Sequence, residues 1–223
     1  MSSVAADVVA YGLAAGLSVL AVLLTLVILG TGNPRGNGFA FLGGFVLTAA
    51  AVTLGVALVG SVLAPDDREP VIQTLLKLAL GVVLLAVAWH ERPGRDRGEG
   101  STERLKTMLA RLDGLTLGTA FFTGTALAVA PKRLAITVLA GLTIGQAALP
   151  AGPSIALAVV YVVLISAPIW ILLGGYVLAG ERSDGAAAAI KEWVIANAHP
   201  IAFVVSLVFG ILFTAQALAE LVA

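Results

Sequence analysis

The 223-residue sequence contains no cysteine. That excludes disulfide bridges, thiolate metal sites and thiol redox chemistry. Charge is almost as scarce. Charged residues make up 12% of the chain, about half the share of a soluble globular domain. The 13 basic and 13 acidic residues cancel, which removes the electrostatic footprint that nucleic-acid binding requires. Histidine occurs only as His90 and His199. Neither lies in a pattern of histidines or carboxylates that would hold a metal. No Ser-His-Asp order stands out in the apolar runs, and Asp66, Asp67 and Glu69 read as a solvated turn. No cofactor, no metal and no enzymatic chemistry are therefore expected. Met1–Asp7 carries no Lys or Arg and so lacks the positive start of a signal peptide.

What remains is apolar. Hydrophobic residues are 59% of the chain and the mean hydropathy is +1.03, the composition of an integral membrane protein. A spanning helix needs about 20 apolar residues. The candidates are Val8–Leu29, Phe39–Gly60, Val71–Trp89, Gly114–Leu149, Ile155–Leu178 and Val194–Leu218. Turns rich in Gly, Pro and Asn, such as Gly30–Asn37 and Ala64–Pro70, separate the first three. The expected fold is all-α, with six transmembrane helices. Residues 1–90 form one three-helix half, 91–113 a charged cytoplasmic linker, and 114–223 a second three-helix half. Within the linker, Leu105, Met108, Leu109 and Leu112 share a helical face flanked by Arg104, Lys106 and Arg111. That is a basic amphipathic helix suited to an anionic leaflet. Ser183-Asp184 predicts the N-cap of a further short surface helix.

Loop charge sets the orientation. With the N-terminus outside, the inner loops hold Arg35, Arg92, Arg95, Arg97, Arg104, Lys106, Arg111, Arg182 and Lys191, and the outer loops hold Arg68 alone. Both termini are expected outside a bacterial plasma membrane. An odd number of spans per half makes the halves inverted repeats. Ser18–Leu29 can be laid over Ala130–Gly141 with Thr25 on Thr137. A rival register, Asn33-Pro34-Arg35-Gly36 on the Ala130 segment, disagrees with that topology, and sequence alone does not decide between them.

The fourth run is too long to be straight. As one helix it would extend roughly 50 Å against a hydrocarbon core of about 30 Å. Pro131 is its natural break, because proline removes a backbone hydrogen bond and clashes with the carbonyl of Leu127. A hairpin tip at Pro131 would give seven crossings and move Arg182 and Lys191 outside, against the charge bias.

Directly behind Pro131 stand Lys132 and Arg133, the only charged residues between Gly114 and Gly180. A broken helix exposes backbone groups, and the new N-terminus carries a positive dipole end. Two cations at mid-depth cost at least ~2.5 kcal/mol each on insertion scales, which an anionic group would offset. The competing reading places both at an interface, to which they snorkel. Thr123, Thr125 and Thr137 flank the break and are the best polar candidates for lining a site. Lys77 is a further candidate. It lies about 10 Å along its helix from Pro70, so snorkelling to the outer interface is the favoured reading there.

Several segments resemble one known family. NPRGNGFAFLGGF from Asn33, KLALGVVLLAVAW from Lys77, RLDGLTLGTAFFTGTALAVAPKRLAITVLAG from Arg111 and WVIANAHPIAFVVSLVFGILFTAQAL from Trp193 are similar, in order and spacing, to the GAP-type or sulfolipid-addressing membrane proteins. These are grouped with the lysine-exporter superfamily of six-helix proteins, and named members are associated with delivering glycopeptidolipids or sulfolipids to mycobacterial surfaces. The resemblance implies a lipid-envelope role. The chain departs from the pattern in two places. It has Ser18-Val19-Leu20-Ala21 where relatives often carry prolines in the first helix, which weakens the case for a break there without deciding it. It has Ala130 where relatives often place Asn.

The resulting expectation is a transporter that moves an anionic amphipathic substrate, such as a glycolipid or lipid-linked intermediate. Pro131, Lys132, Arg133, Thr123, Thr125, Thr137 and Lys77 are its binding candidates. An exporter of small zwitterionic or anionic metabolites, or a non-transporting partner of a lipid-synthesis complex, are the alternatives. Expected partners are membrane lipids, the substrate, and either further copies of the chain or envelope lipid-synthesis proteins.

Overall fold

The computed structural model describes residues 2–63, 69–91, 115–179 and 183–222. The linker beyond Glu91, with its expected helix at Leu105–Leu112, lies outside these residues, as does the tip of the turn at 64–68. Among the described residues the chain is entirely helical, with no strand. The helices are α1 (Ser2–Gly16), α2 (Val19–Leu29), α3 (Pro34–Leu63), α4 (Glu69–His90), α5 (Leu117–Ala128), α6 (Pro131–Gln146), α7 (Ala151–Ala179), α8 (Ser183–Ala196) and α9 (Ala198–Val222).

Three of these, α3, α7 and α9, are long and apolar enough to cross a membrane alone. Two pairs do so only together: α1 with α2, bent by 55°, and α5 with α6, bent by 65°. With α4 this makes six spans. A 65° bend continues the path across the membrane instead of reversing it, so Pro131 is not a hairpin tip. The short helix α8 starts at Ser183, where the Ser-Asp signal places it.

The second break follows from proline chemistry. Pro131 is the first residue of α6, where its missing N–H removes no bond and its fixed φ suits a helix start. The residue before a proline is pushed to extended conformation, and Ala130 has φ −55° and ψ 138°.

The first break decides a point that the sequence left open, whether helix one is also broken. It needs no proline. Ser18 is extended, at φ −132° and ψ 114°, between the end of α1 at Gly16 and the start of α2. Gly16 lets the end of α1 lie directly on the α7 backbone, since a Cβ there would meet the Leu164 carbonyl oxygen at 2.6 Å. That carbonyl is the one whose usual N–H partner would be residue 168, and residue 168 is proline. The neighbouring carbonyls of Val162 and Val163 receive side-chain donors from Ser166 (2.6 Å) and Trp170 (3.2 Å).

The two breaks are copies of one another. In the register that lays Ser18 on Ala130, the bonds Leu17 N–H to Leu13 C=O and Val22 N–H to Ser18 C=O recur as Val129 to Thr125 and Leu134 to Ala130. Thr25 donates to the Ala21 carbonyl at 2.7 Å and Thr137 to the Arg133 carbonyl at 2.8 Å. Gly12 and Gly124 also coincide, each with no room for a side chain against the long helix it faces. The rival register fails because Pro34 opens the uninterrupted helix α3, not a half-span.

Packing repeats the pattern. Helix α3 packs on the broken pair α5–α6 of the other half, and α7 packs on α1 and α2. The third spans of the two halves, α4 and α9, pack extensively on each other. The fold is thus two inverted three-helix repeats with exchanged partners.

Candidate functional site

The two breaks meet. Leu17 and Ser18 from the first, and Ala130, Lys132 and Arg133 from the second, line one cavity of about 180 Å³. Leu20, Leu127 and Ala14 complete an apolar wall. Each break lies near the middle of its bent pair.

Two helix N-termini, those of α2 and α6, open at this cavity, and neither has a side-chain cap. The N-terminus of α5 is different. There Thr116 and Thr119 cap each other's backbone in a capping box, satisfying donors that would otherwise be orphaned. In a membrane interior an uncapped helix start keeps its positive end available for an anion.

Arg133 is buried, with 4% of its surface exposed. Its Nε donates to the Ala15 carbonyl at 3.2 Å, and its guanidinium carbon lies 5.1 Å from the centroid of the Phe45 ring. Ala15 belongs to the last turn of α1, whose negative dipole end suits a cation. The other two guanidinium nitrogens, Nη1 and Nη2, are buried and have no hydrogen-bond partner. A guanidinium presents its donors in a planar fork that matches a carboxylate, sulfate or phosphate. One of the three nitrogens of this fork is anchored to the protein and two are free.

Lys132 is exposed and stands at the cavity margin. The structure therefore separates the two neighbouring cations: one is held inside and the other is accessible. Thr137 lies one turn deeper in α6, where its hydroxyl meets Tyr161 Oη of α7 at 2.9 Å. This fixes the turn that carries Arg133. Thr123 and Thr125 are elsewhere. Thr123 donates to the Thr119 carbonyl at 2.7 Å. Thr125 faces α3, with its hydroxyl 3.2 Å from that of Thr48 and 3.4 Å from the Gly44 carbonyl.

Lys77 does not snorkel. It is 4% exposed and pairs with Glu220 at 2.6 Å and Asp7 at 3.3 Å. Carboxylates from α1 and α9 reach it inside the bundle, which makes escape to an interface unnecessary. It is far from the break cavity in its contacts and shares none of its lining.

Sequence reasoning missed Phe45 and the contribution of the first break, whereas Tyr161, like Thr137, is one of the few polar span residues able to bond across helices. The pair Gly16 and Ser18 was a usable signal, because glycine ends helices and serine starts them. Nothing in the sequence pointed to Phe45.

The profile of the Sap, sulfolipid-1-addressing protein family matches residues 8–219, covering both breaks and every span. The chain belongs to this sulfolipid-1-addressing family. No curated protein and no solved structure matches it. Membership connects this membrane-embedded helical chain with lipid handling, and the sulfolipid-addressing profile includes the whole α6 segment that presents Lys132 and Arg133.

Proposed function

We propose that the chain is a transporter, not an enzyme, that moves an anionic amphipathic substrate across the plasma membrane, with both termini outside. The substrate class is a glycolipid or lipid-linked envelope intermediate. The observation that carries this reading is the buried fork of Arg133, with two nitrogens lacking partners at the point where both helix breaks converge. Intramembrane charge is costly and marks substrate paths. Paired broken helices at mid-depth are the usual site of transport in inverted-repeat proteins.

The cavity volume limits what enters. At about 180 Å³ it is smaller than a drug-sized pocket of roughly 300 Å³ or more. It takes a head group, while apolar chains remain among the helices and lipid beyond Leu20 and Leu127. Lys132 at the margin meets the anion first, and Arg133 binds it inside. The same small volume also suits a second reading, export of a small anionic or zwitterionic metabolite.

Reconstituted vesicles test both. Fluorescently labelled phosphatidic acid and labelled phosphatidylcholine are placed in the membrane, and dithionite quenching reports which has crossed. Faster crossing of the anionic lipid, lost in Arg133→Met, supports the lipid reading. Uptake of a radiolabelled small anion without lipid crossing supports the metabolite reading. Movement of neither sinks both and favours a non-transporting partner role.

A further inference from the structure

The Lys77 cluster is a second polar site that anion binding does not use. Glu220 engages both carboxylate oxygens at the end of the bundle: Oε1 accepts from Lys77 at 2.6 Å and Oε2 from Thr74 at 2.9 Å. Asp7 Oδ2 accepts from Lys77 at 3.3 Å. One ammonium therefore faces two carboxylates, leaving one negative charge in excess. The carboxylates are not sealed. The side chains of Asp7 and Glu220 are 20% and 41% exposed, at the end of the bundle where α1 begins and α9 ends.

The position of the cluster matters as much as its charge. Helices α4 and α9 pack tightly on one another: Gly81 lies against Gly210 and Thr214, and Gly210 against Leu85. They touch the remaining helices much less, α4 chiefly at α6 and α9 lightly at α1, α2 and α8. The other transmembrane helices, α1 to α3 and α5 to α7, interlock through the exchanged packing. The seam between the α4–α9 pair and this core is thin. Asp7–Lys77 is an ion pair across that seam. Glu220–Lys77 stays within the pair. An apolar contact also crosses, with the Tyr11 and Phe213 rings 5.3 Å apart.

We infer that Asp7, Lys77 and Glu220 form a proton-binding latch that holds the α4–α9 pair against the core and releases it when a solvent proton adds to Asp7. The step makes one O–H bond on a carboxylate oxygen and changes no other covalent bond. Neutral Asp7 no longer attracts Lys77, which keeps Glu220 as its partner inside the moving pair. Lys77 thus never loses its counter-charge, and separation leaves no bare ammonium in the apolar interior, which would be costly. The groups facing Asp7 are Lys77 from α4, Glu220 from α9 and, on its own helix, Tyr11, which also faces Thr143 of α6. Helix α7 contains no charged residue, and the charges of α6 are Lys132 and Arg133 at its opposite end. No other described charge competes for the proton.

The two carboxylates fall just outside residues 8–219, the range matched by the family profile. The inference stands apart from the anion site, and its test needs neither substrate nor Arg133. The natural absence of cysteine allows two spin labels without background. Cysteines replacing Val9 on α1 and Leu218 on α9, both exposed, would carry them in full-length protein in lipid nanodiscs. Electron–electron distance measurements are made from about pH 8 to about pH 2.5, a range that passes fully through ordinary aspartate titration near about 3.9. The expected result is a shift of at least about 2 Å, the scale of helix displacements in switching proteins, to a longer distance at low pH. Asp7→Asn should show the long distance at every pH. Glu220→Gln should move the transition to lower pH, because Asp7 then has Lys77 to itself. A wild-type distribution unchanged across the range overturns the latch, even if Asp7→Asn does not fold. So does an Asp7→Asn protein that matches wild type at about pH 8.

Discussion

Replacing Arg133 by Met separates binding from stability, and the magnitudes can be worked from its surroundings. The substitution removes one charged hydrogen bond to the Ala15 carbonyl, worth about 1.5–3 kcal/mol, and the Phe45 contact, worth about 0.5–2 kcal/mol. It also removes a cation from mid-membrane, a relief of about 2.5–3.5 kcal/mol on insertion scales. No carboxylate is left unpaired, because Arg133 has none. The opposing contributions overlap, so stability should fall by no more than about 2.5 kcal/mol and rise by no more than about 1.5 kcal/mol. Binding should change far more. Two charge-assisted bonds from Nη1 and Nη2 to an anion are worth roughly 3 kcal/mol together, or about 100-fold in affinity. The assay is calorimetric titration of short-chain phosphatidic acid into protein held in zwitterionic nanodiscs, with thermal unfolding on the same samples. Arg133→Lys keeps the charge but loses the fork and should fall between wild type and Met. Unchanged affinity in Arg133→Met, together with a large loss of thermal stability, would refute the reasoning and make Arg133 a structural pin between α1 and α6.

Further outcomes follow from other parts of the fold. Thr137→Val removes the buried bond to Tyr161 and should cost about 1–3 kcal/mol, since it leaves a phenol unpaired; thermal unfolding reads it directly. Ala148, in the turn between α6 and α7, has φ 47°, a left-handed conformation disfavoured for alanine by roughly 1–2 kcal/mol. Ala148→Gly should therefore raise the unfolding temperature, and no gain would show the turn to be relaxed as it stands. Gly124→Val places a side chain against the Phe41 carbonyl of α3 and should prevent the α5–α3 approach, read as loss of monodisperse folded protein. For topology, a cysteine at Asp67 should react with an impermeant thiol reagent in intact cells and one at Arg97 should not. The reverse result would invert the orientation.

Much of this architecture was legible in the residues, for a physical reason. Span length, turn composition and Pro131 act locally, through hydrogen-bond loss and the conformational restriction of the residue before proline. The break at Ala130 needs nothing beyond its neighbours. The break at Ser18 is different, because Gly16 matters through its contact with Leu164 and the internal proline of α7, far away in sequence. Tertiary contacts also decided the lysine. Lys77 taken alone is a snorkelling candidate, and only the meeting of both chain ends on α4 gives it Asp7 and Glu220. The separation of Lys132 from Arg133 is likewise a matter of helix rotation at a bend, which no spacing rule supplies. The Ser18–Ala130 register was visible but undecided until its hydrogen bonds were seen to coincide.

The matched breaks differ in one respect. Where the second half carries Arg133, the corresponding position in the first half is Ala21, and Lys132 corresponds to Leu20. A protein with two identical inverted halves could exchange the conformations of those halves and arrive at its own mirror state, open to the opposite side, at equal energy. Here the exchange would put alanine in the surroundings that now hold a guanidinium. In the proposed transporter the two open states therefore have different energies even with no cargo present. An empty molecule of this kind rests preferentially on one side of the membrane, and a difference of about 1.4 kcal/mol would already make that preference tenfold. The asymmetry of these two positions would thus give the proposed transporter a resting direction.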